Sequence, residues 1–323
     1  MPTSLGSVGK AAGGRLDDLE SKGIRLAPTA EEKPNRRPNR THRVEGEVSA
    51  TVWQALEAER RRTGESMSDV IERSLATALG AEAHSLYQVS TTSALVKGVF
   101  SGAITVADLS THGDFGIGTF DGLDGELVLL EGTCHRIAAG GAASLAEGER
   151  TVPFAVVTWF EADTTTAIAG VESLAALEQA LDPYRPTQNV FVGIRADGAF
   201  DMLSMRAACP AAPDENLVQA TAHQSEFTAE SIEGTLVGFW APDYAQAVNV
   251  PGYHFHFLSS DRSIGGHVLD VRATSLVAAL HIESDIHLAL PRTDAVLDAD
   301  LSGDTSDDLR IAEGSKVEDH DQV

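Results

Sequence analysis

A short stretch near the carboxyl end, residues 251–269 with the sequence PGYHFHFLSSDRSIGGHVL, restricts the possible fold more than any other part of this chain. His254 and His256 alternate with Phe255 and Phe257. In a β-strand this spacing places the two histidines on one face and the two phenylalanines on the other, where a core would bury them. The pattern therefore predicts a strand with one polar, functional face.

The second half of this stretch predicts a β-hairpin. Residues 259–266 are rich in Ser, Asp and Gly, which is typical of a hairpin loop, and Val268 resumes the apolar pattern of a returning strand. At the start of the return, His267 can face His254 and His256. Three neutral imidazoles held by a rigid sheet make an open divalent-metal site, with one position left for water or substrate.

These histidines alone leave the class of metal protein open. A hydrolase, a structural zinc site and a cupin-like barrel can all place histidines in this way. The cupin pattern also expects a Glu a few residues after the HxH pair, and this chain offers only Asp261.

The charge of the chain is unevenly distributed. Its 323 residues have a net charge of −24, but residues 1–84 contain 13 Lys+Arg and 13 Asp+Glu, so residues 85–323 carry the whole excess. Such an acidic surface argues against binding of nucleic acid or of anionic membranes. It is typical of proteins adapted to high intracellular salt, where acidic surfaces are screened.

Cysteine usage and hydropathy indicate the compartment. Cys134 and Cys209 are the only cysteines, which favours a reducing cytosol over a disulfide framework. The sequence begins without an apolar leader and has no run of about 18 apolar residues. We therefore expect a soluble, cytoplasmic protein.

The first 84 residues predict an arm followed by a small folded unit. Residues 1–40 lack periodicity and predict a disordered arm. Residues 41–48 alternate as a short strand, and Ser49 is placed to cap a helix from about residue 50 to 62. Ser66 or Ser68 can cap a second helix that ends near Leu79.

The order strand, helix, helix in residues 41–84 resembles a ribbon-helix-helix module, which dimerises by pairing strands of two chains. In DNA-binding modules of this kind the outward strand side chains contact bases. Here that face carries Arg43, Glu45 and Glu47, and the two carboxylates would repel phosphate. The pattern therefore favours an interaction module over a repressor.

Residues 85–315 predict an α+β fold with mostly antiparallel pairing, because many short apolar segments are separated by Gly-rich turns. Residues 166–182 carry leucines at helical spacing and predict a helix. Asp197-Gly198 between two apolar segments predicts the turn of a hairpin. Residues 316–323 predict a disordered tail.

Six separated pieces of this region occur in the order found in one known family. They are LYQ (86–88), GTFDGLDGE (118–126), Arg206 on its predicted strand, GYHFHF (252–257), GGHV (265–268) and EGS (313–315). Together they resemble α-acetolactate decarboxylase over about residues 86–315. The resemblance implies a two-part catalytic domain with mixed β-sheets, usually in a homodimer.

The resemblance also implies a site and a reaction. Zn2+ is expected on His254, His256 and His267. Glu126, Arg206 and Glu313 are expected as catalytic residues, with Arg206 and Thr119 in contact with the substrate. The implied reaction is decarboxylation of 2-acetolactate to acetoin and CO2 through a metal-bound enediolate.

Two other functions fit the same residues. Three imidazole ligands with a nearby Glu also suit a zinc-dependent hydrolase, which activates water. A metal- or ligand-sensing regulator would use the module at 41–84 as its working part, but it has no need for two carboxylates and an arginine beside the metal.

Overall fold

The computed structural model describes residues 46–64, 66–79 and 84–314, and β-strands are the main regular secondary structure of this part of the chain. The strands are β1 (Ser85–Val89), β2 (Ile104–Thr105), β3 (Phe115–Thr119), β4 (Glu126–Leu130), β5 (Thr133–Ile137), β6 (Ala143–Leu145), β7 (Thr151–Val152), β8 (Phe154–Thr158), β9 (Thr164–Val171), β10 (Phe191–Ala207), β11 (Ser225–Ala241), β12 (Gly252–Ser259), β13 (Gly265–Glu283) and β14 (Asp285–Ala289). The helices are α1 (Ala50–Thr63), α2 (Met67–Leu79), α3 (Thr92–Val96), α4 (Val106–Leu109), α5 (Leu174–Leu181), α6 (Leu217–Thr221), α7 (Asp294–Asp298) and α8 (Ser306–Glu313).

The strands form two large sheets and one small one. Seven strands pair in the order β14-β1-β8-β3-β4-β5-β6, and five pair in the order β10-β11-β12-β13-β9. Strand β13 pairs with β10 as well as with β12, so the pairings of β10 to β13 close into a ring. Among the strands of the described residues, only β1 and β14 pair in parallel, and β2 and β7 form the separate pair. The predicted α+β class with mostly antiparallel pairing is confirmed.

The main core lies between the two large sheets. One hydrophobic cluster contains Ile117 and Val156 from the seven-stranded sheet together with Val237 and Phe239 from the five-stranded sheet. Helices α3, α6 and α8 add side chains to the same cluster. This packing joins the two sheets and brings the three short helices to the same cluster.

A second cluster covers the other face of the five-stranded sheet. Phe255 and Phe257 are buried there, and helix α5 packs Leu177 and Leu181 against them and their neighbours. Burying an aromatic side chain contributes about 2 kcal/mol of hydrophobic free energy. The predicted alternation of the HxH strand is thus realised, because its phenylalanines point to this core.

Two predictions of local structure are wrong. Asp197-Gly198 is not a turn, because β10 continues through it and pairs with β11 and β13. A Cβ atom at Gly198 would lie 2.8 Å from Leu276 Cδ2 and 3.0 Å from the carbonyl oxygen of Ser275, so glycine suits the close packing of β10 against β13. The helix expected over residues 166–182 is only α5, which begins after its N-cap Ser173. Residues before it form β9, which starts with three β-branched threonines.

The two predicted helices of the N-terminal unit are present. Ser49 caps α1 by accepting a hydrogen bond from Val52 N, Gly64 ends α1 with positive φ, and Arg73 of α2 pairs with Glu59 of α1. Residues 46–48, at the end of the predicted strand, are not in a strand, and 41–45 lie outside the described residues, as do 1–40 and 316–323. Among the described residues, no helix is long and apolar enough to cross a membrane.

A buried polar cluster lies where β13 leads into β14 and so passes from one large sheet to the other. Within the described part of the chain, His281 Nε2 and both carboxylate oxygens of Glu283 are buried without a hydrogen-bond partner, and His281 Nε2 lies 3.7 Å from Glu283 Oε1. Burial raises the pKa of Glu283 to about 8. Glu283 therefore holds a proton in the folded protein at neutral pH.

This protonated carboxyl makes stability depend on pH. Between pH about 4.5 and about 8, Glu283 binds a proton in the folded protein but not in the unfolded chain, so the free energy of unfolding falls as the pH rises. Between pH 5 and pH 9, we expect the free energy of unfolding of Glu283→Gln to fall by about 2–4 kcal/mol less than that of the wild type. Urea unfolding at both pH values measures it. The exposed Asp285→Asn is the control, and an equal loss in wild type and Glu283→Gln would refute the prediction.

Candidate metal centre and its cavity

The hairpin of β12 and β13 brings the three predicted metal ligands together. His256 pairs directly with His267 across the hairpin, and His254 lies two residues along β12 on the same face. His256 and His267 are buried, and the His254 side chain is only 12% exposed. The three side chains therefore meet in a region largely shielded from water.

The ring nitrogens are arranged to meet one ion. One nitrogen from each ring lies within 4.8 Å of the others, and the ring planes are inclined to each other by 59° to 72°. His254 Nε2 and His267 Nδ1 are 3.1 Å apart, close to the roughly 3.3 Å expected between two nitrogens on one tetrahedral zinc. His256 Nδ1 lies 3.0 Å from the carbonyl oxygen of Leu127, and donation there leaves His256 Nε2 free to bind an ion.

Electrostatics keep these imidazoles neutral. Burial lowers the pKa of His254 and of His256 to about 3, and it lowers the pKa of His267 well below its ordinary value. The Arg206 guanidinium adds to the effect at His254 and His267. A neutral imidazole has a lone pair to offer, so the three rings are in the form that binds a metal.

A second group, His84, Asp163 and His281, has the residue types but not the geometry. Its possible ligand atoms also lie within 4.8 Å of one another. However, the imidazole rings of His84 and His281 are stacked with their planes only 21° apart. Their in-plane lone pairs therefore point in nearly parallel directions and do not converge on one ion. Each Nδ1 also lies 2.6 Å from a backbone carbonyl oxygen, of Ile282 for His84 and of Glu161 for His281.

Glu126 enters the cavity from the other large sheet. It is the first residue of β4, and its Oε1 accepts a hydrogen bond of 2.9 Å from the backbone N–H of Ala208. Its Oε2 lies 3.7 Å from His256 Nε2. Burial raises the pKa of Glu126 to about 7, which outweighs the lowering by Arg206 and the Ala208 N–H.

Arg206 and Glu313 complete the polar wall. Arg206 lies at the end of β10, paired with His267, and its Nη2 is 3.6 Å from Glu313 Oε2. That same carboxylate oxygen is 3.7 Å from His254 Nε2 and 3.6 Å from His267 Nε2. Arg206 Nε is buried without a hydrogen-bond acceptor among the described residues. This guanidinium therefore has a donor to offer a bound anion.

The remaining predicted residue, Thr119, also lines the cavity. Its hydroxyl donates to the carbonyl oxygen of Gly125 at 2.9 Å, which fixes the turn just before Glu126. Thus all seven residues predicted from the sequence line one cavity. The backbone contacts of Leu127 and Ala208 were not predicted, since backbone groups leave no signal in residue type.

Other cavity residues were also missed by the sequence analysis. Leu95, Leu123, Phe154, Leu217 and Val250 form an apolar wall. Gln224, which follows helix α6, lines the cavity as well. No spacing or motif in the sequence distinguishes these residues from ordinary core or loop positions.

Comparisons with known proteins agree on one family. A sequence model of the alpha-acetolactate decarboxylase family matches residues 86–303. An alpha-acetolactate decarboxylase of Methanosarcina mazei is 45% identical over 229 residues, which is 71% of this chain and 80% of that protein. One from Bacillus licheniformis is 35% identical over 232 residues, 71% of this chain and 92% of that protein. The crystal structure of alpha-acetolactate decarboxylase from Bacillus subtilis strain 168 superposes with a TM-score of 0.69 at 33% identity, covering 72% of this chain and all of that one.

Proposed function

Because the chain belongs to the alpha-acetolactate decarboxylase family, and so to the carboxy-lyases, we propose that it converts 2-acetolactate to acetoin and CO2 in a zinc-dependent reaction. The observation that carries the proposal is the convergence of three neutral imidazoles with an arginine and two carboxylates in one cavity. The reaction is proposed from family membership, and the cavity contains side chains suited to each step of that reaction.

The donor set fits Zn2+. Three neutral imidazole nitrogens with inclined planes and a fixed tautomer at His256 suit a catalytic zinc site, which keeps a position for substrate. His254, His256 and His267 would hold the ion. When bound, it would supply Lewis-acid stabilisation of the charge that collects on the ketone oxygen as CO2 leaves.

Arg206 is proposed to hold the substrate's anionic end. Its unpartnered Nε can donate to a carboxylate, and a guanidinium offers donors in a fork that matches carboxylate geometry. Thr119, whose hydroxyl proton is engaged by Gly125 O, would contact the substrate by packing against it. These contacts would orient the bond to be broken.

Glu126 is proposed to deliver the proton that quenches the enediolate left after loss of CO2. With its pKa raised to about 7, the side chain can carry a proton near neutral pH, and that proton belongs on Oε2 because Oε1 accepts from Ala208 N–H. Glu313, which lies between Arg206 and two histidines, would keep those three side chains in position. A fixed proton donor delivers to one face, so a single acetoin enantiomer is expected.

Residues 85–315 are proposed to be the catalytic domain and residues 41–84 an interaction module that supports a homodimer. Supporting this, Val52 and Trp53 on helix α1 are about half exposed, at 46% and 51%, as expected for a surface that a partner covers. We further propose a cytoplasmic location.

The reaction is tested by product analysis. Purified protein is mixed with fresh 2-acetolactate in high salt, and CO2 and acetoin are measured with and without a chelator. We expect equal amounts of both products, one acetoin enantiomer, and loss of both with the chelator. Hydrolysis of ester or amide substrates without release of CO2 would contradict the proposal and favour a zinc hydrolase.

A further inference from the structure

The hydroxyl groups that line the cavity are already engaged within the protein. Thr119 donates to Gly125 O, Thr92 donates to Gln246 O at 3.1 Å, and Thr221 donates to Val218 O at 3.2 Å. Each hydroxyl proton is therefore used to fix a turn or the end of a helix. None of the three needs a ligand to satisfy its donor.

Gln224 differs from these residues. Its backbone N–H donates to Thr221 O at 3.1 Å, which fixes it just beyond helix α6. Its side-chain Oε1 is buried and has no hydrogen-bond partner among the described residues. A buried amide oxygen without a partner is destabilising, so such a group is expected to have a partner in the working protein.

The position of Gln224 indicates what that partner is. It lines the same cavity as the histidines and Arg206, and the other lining residues include apolar side chains and the three engaged hydroxyls. An amide oxygen only accepts hydrogen bonds. The substrate class of the proposed function, a 2-hydroxy-3-keto acid, has one hydrogen-bond donor, its hydroxyl group.

We propose that Gln224 is a substrate-binding residue whose Oε1 accepts a hydrogen bond from the substrate hydroxyl. The inference rests on the proposed function, because it takes the hydroxy acid from there. It makes Gln224 a specificity residue that favours 2-hydroxy acids over acids of the same shape that carry a methyl group instead. A site built to pair with a hydroxyl discriminates against the analogue that lacks it, because its own polar group is then left unpaired.

Two stable ligands that do not lose CO2 test the proposal. 2-Hydroxyisobutyrate and pivalate differ only by a hydroxyl in place of a methyl group, and both carry the carboxylate. Their affinities for the zinc-loaded protein are measured by calorimetry in wild type, in Gln224→Leu and in Gln224→Met, which keeps the length of the side chain. We expect both variants to weaken 2-hydroxyisobutyrate by about 10- to 100-fold and to leave pivalate within about 2-fold.

Thr221→Val is the matched control, since Thr221 also lines the cavity but its hydroxyl donates to Val218 O. It should leave the ratio of the two affinities unchanged. If the Gln224 variants bound both ligands equally more weakly, the contact would be with the shared carboxylate. If they bound both ligands as tightly as the wild type, Gln224 would not contact the ligand. Either result would overturn the proposal. Release of CO2 from 2-acetolactate by wild type, measured on the same samples, shows separately whether the proposed function holds.

Discussion

His254→Ala is expected to abolish zinc binding and to reduce CO2 release by about 10³-fold, which corresponds to about 4 kcal/mol. The reason is geometric, because the three imidazoles converge on one point and His254 Nε2 lies 3.1 Å from His267 Nδ1. Removing one ring leaves two nitrogens, too few for a catalytic zinc site with three protein ligands. Metal content and CO2 release are measured on the same preparation.

His287→Ala is the control for this experiment. His287 is exposed on β14 and stacks on Tyr87, away from the cavity residues. We expect it to keep both zinc and activity. Circular dichroism checks that His254→Ala is folded, which is expected because the His254 side chain is 12% exposed and lies at the edge of the buried group. A folded His254→Ala protein that retained zinc and full activity would remove the histidines from the mechanism.

Glu126→Gln is expected to lower acetoin formation from 2-acetolactate by about 10²- to 10⁴-fold, the range for loss of a positioned general acid. The amide has nearly the same shape and can still accept from Ala208 N–H through its oxygen. It has no acidic proton to deliver from the position of Oε2. Kinetics on 2-acetolactate and the enantiomeric excess of the acetoin formed measure the effect.

Zinc content separates this effect from damage to the metal site. Glu126 lies 3.7 Å from His256 Nε2 but is not proposed as a ligand, so Glu126→Gln should retain zinc. Glu131→Gln, at an exposed position just after the same strand, should behave like wild type. Unchanged turnover and unchanged enantiomeric excess in Glu126→Gln would assign the proton to another group.

The local pattern around the histidines was sufficient to predict their arrangement. Alternation with Phe255 and Phe257 fixes the face of the strand, and the polar loop fixes the return to His267, so a short-range signal determines a short-range structure. Glu126, Arg206 and Glu313 are different, because they come from β4, β10 and α8. No pattern of residue types indicates that these elements meet in space. The three residues were identified only because they lie in motifs that follow the order found in the family.

One of the two wrong predictions arose because glycine serves two purposes. Gly198 was interpreted as a turn residue, but glycines also lie inside strands, as Gly116 and Gly118 do in β3. A Cβ atom at either would lie 2.4 Å from a carbonyl oxygen of β8. These glycines permit close approach of strands, and that requirement exists only in the folded sheet. Gln224 was missed for a similar reason, because only the folded structure shows that its side-chain oxygen is buried in the cavity lining without a hydrogen-bond partner.

The most direct test of the account is a zinc titration of the metal-depleted protein in high salt, with bound zinc and release of CO2 from 2-acetolactate measured together. The account predicts negligible CO2 release without metal, a rise in proportion to bound zinc, and a plateau at a single ion per chain. It also predicts no such rise in His254→Ala. Full CO2 release from the metal-free protein, or zinc bound without any gain in CO2 release, would contradict it.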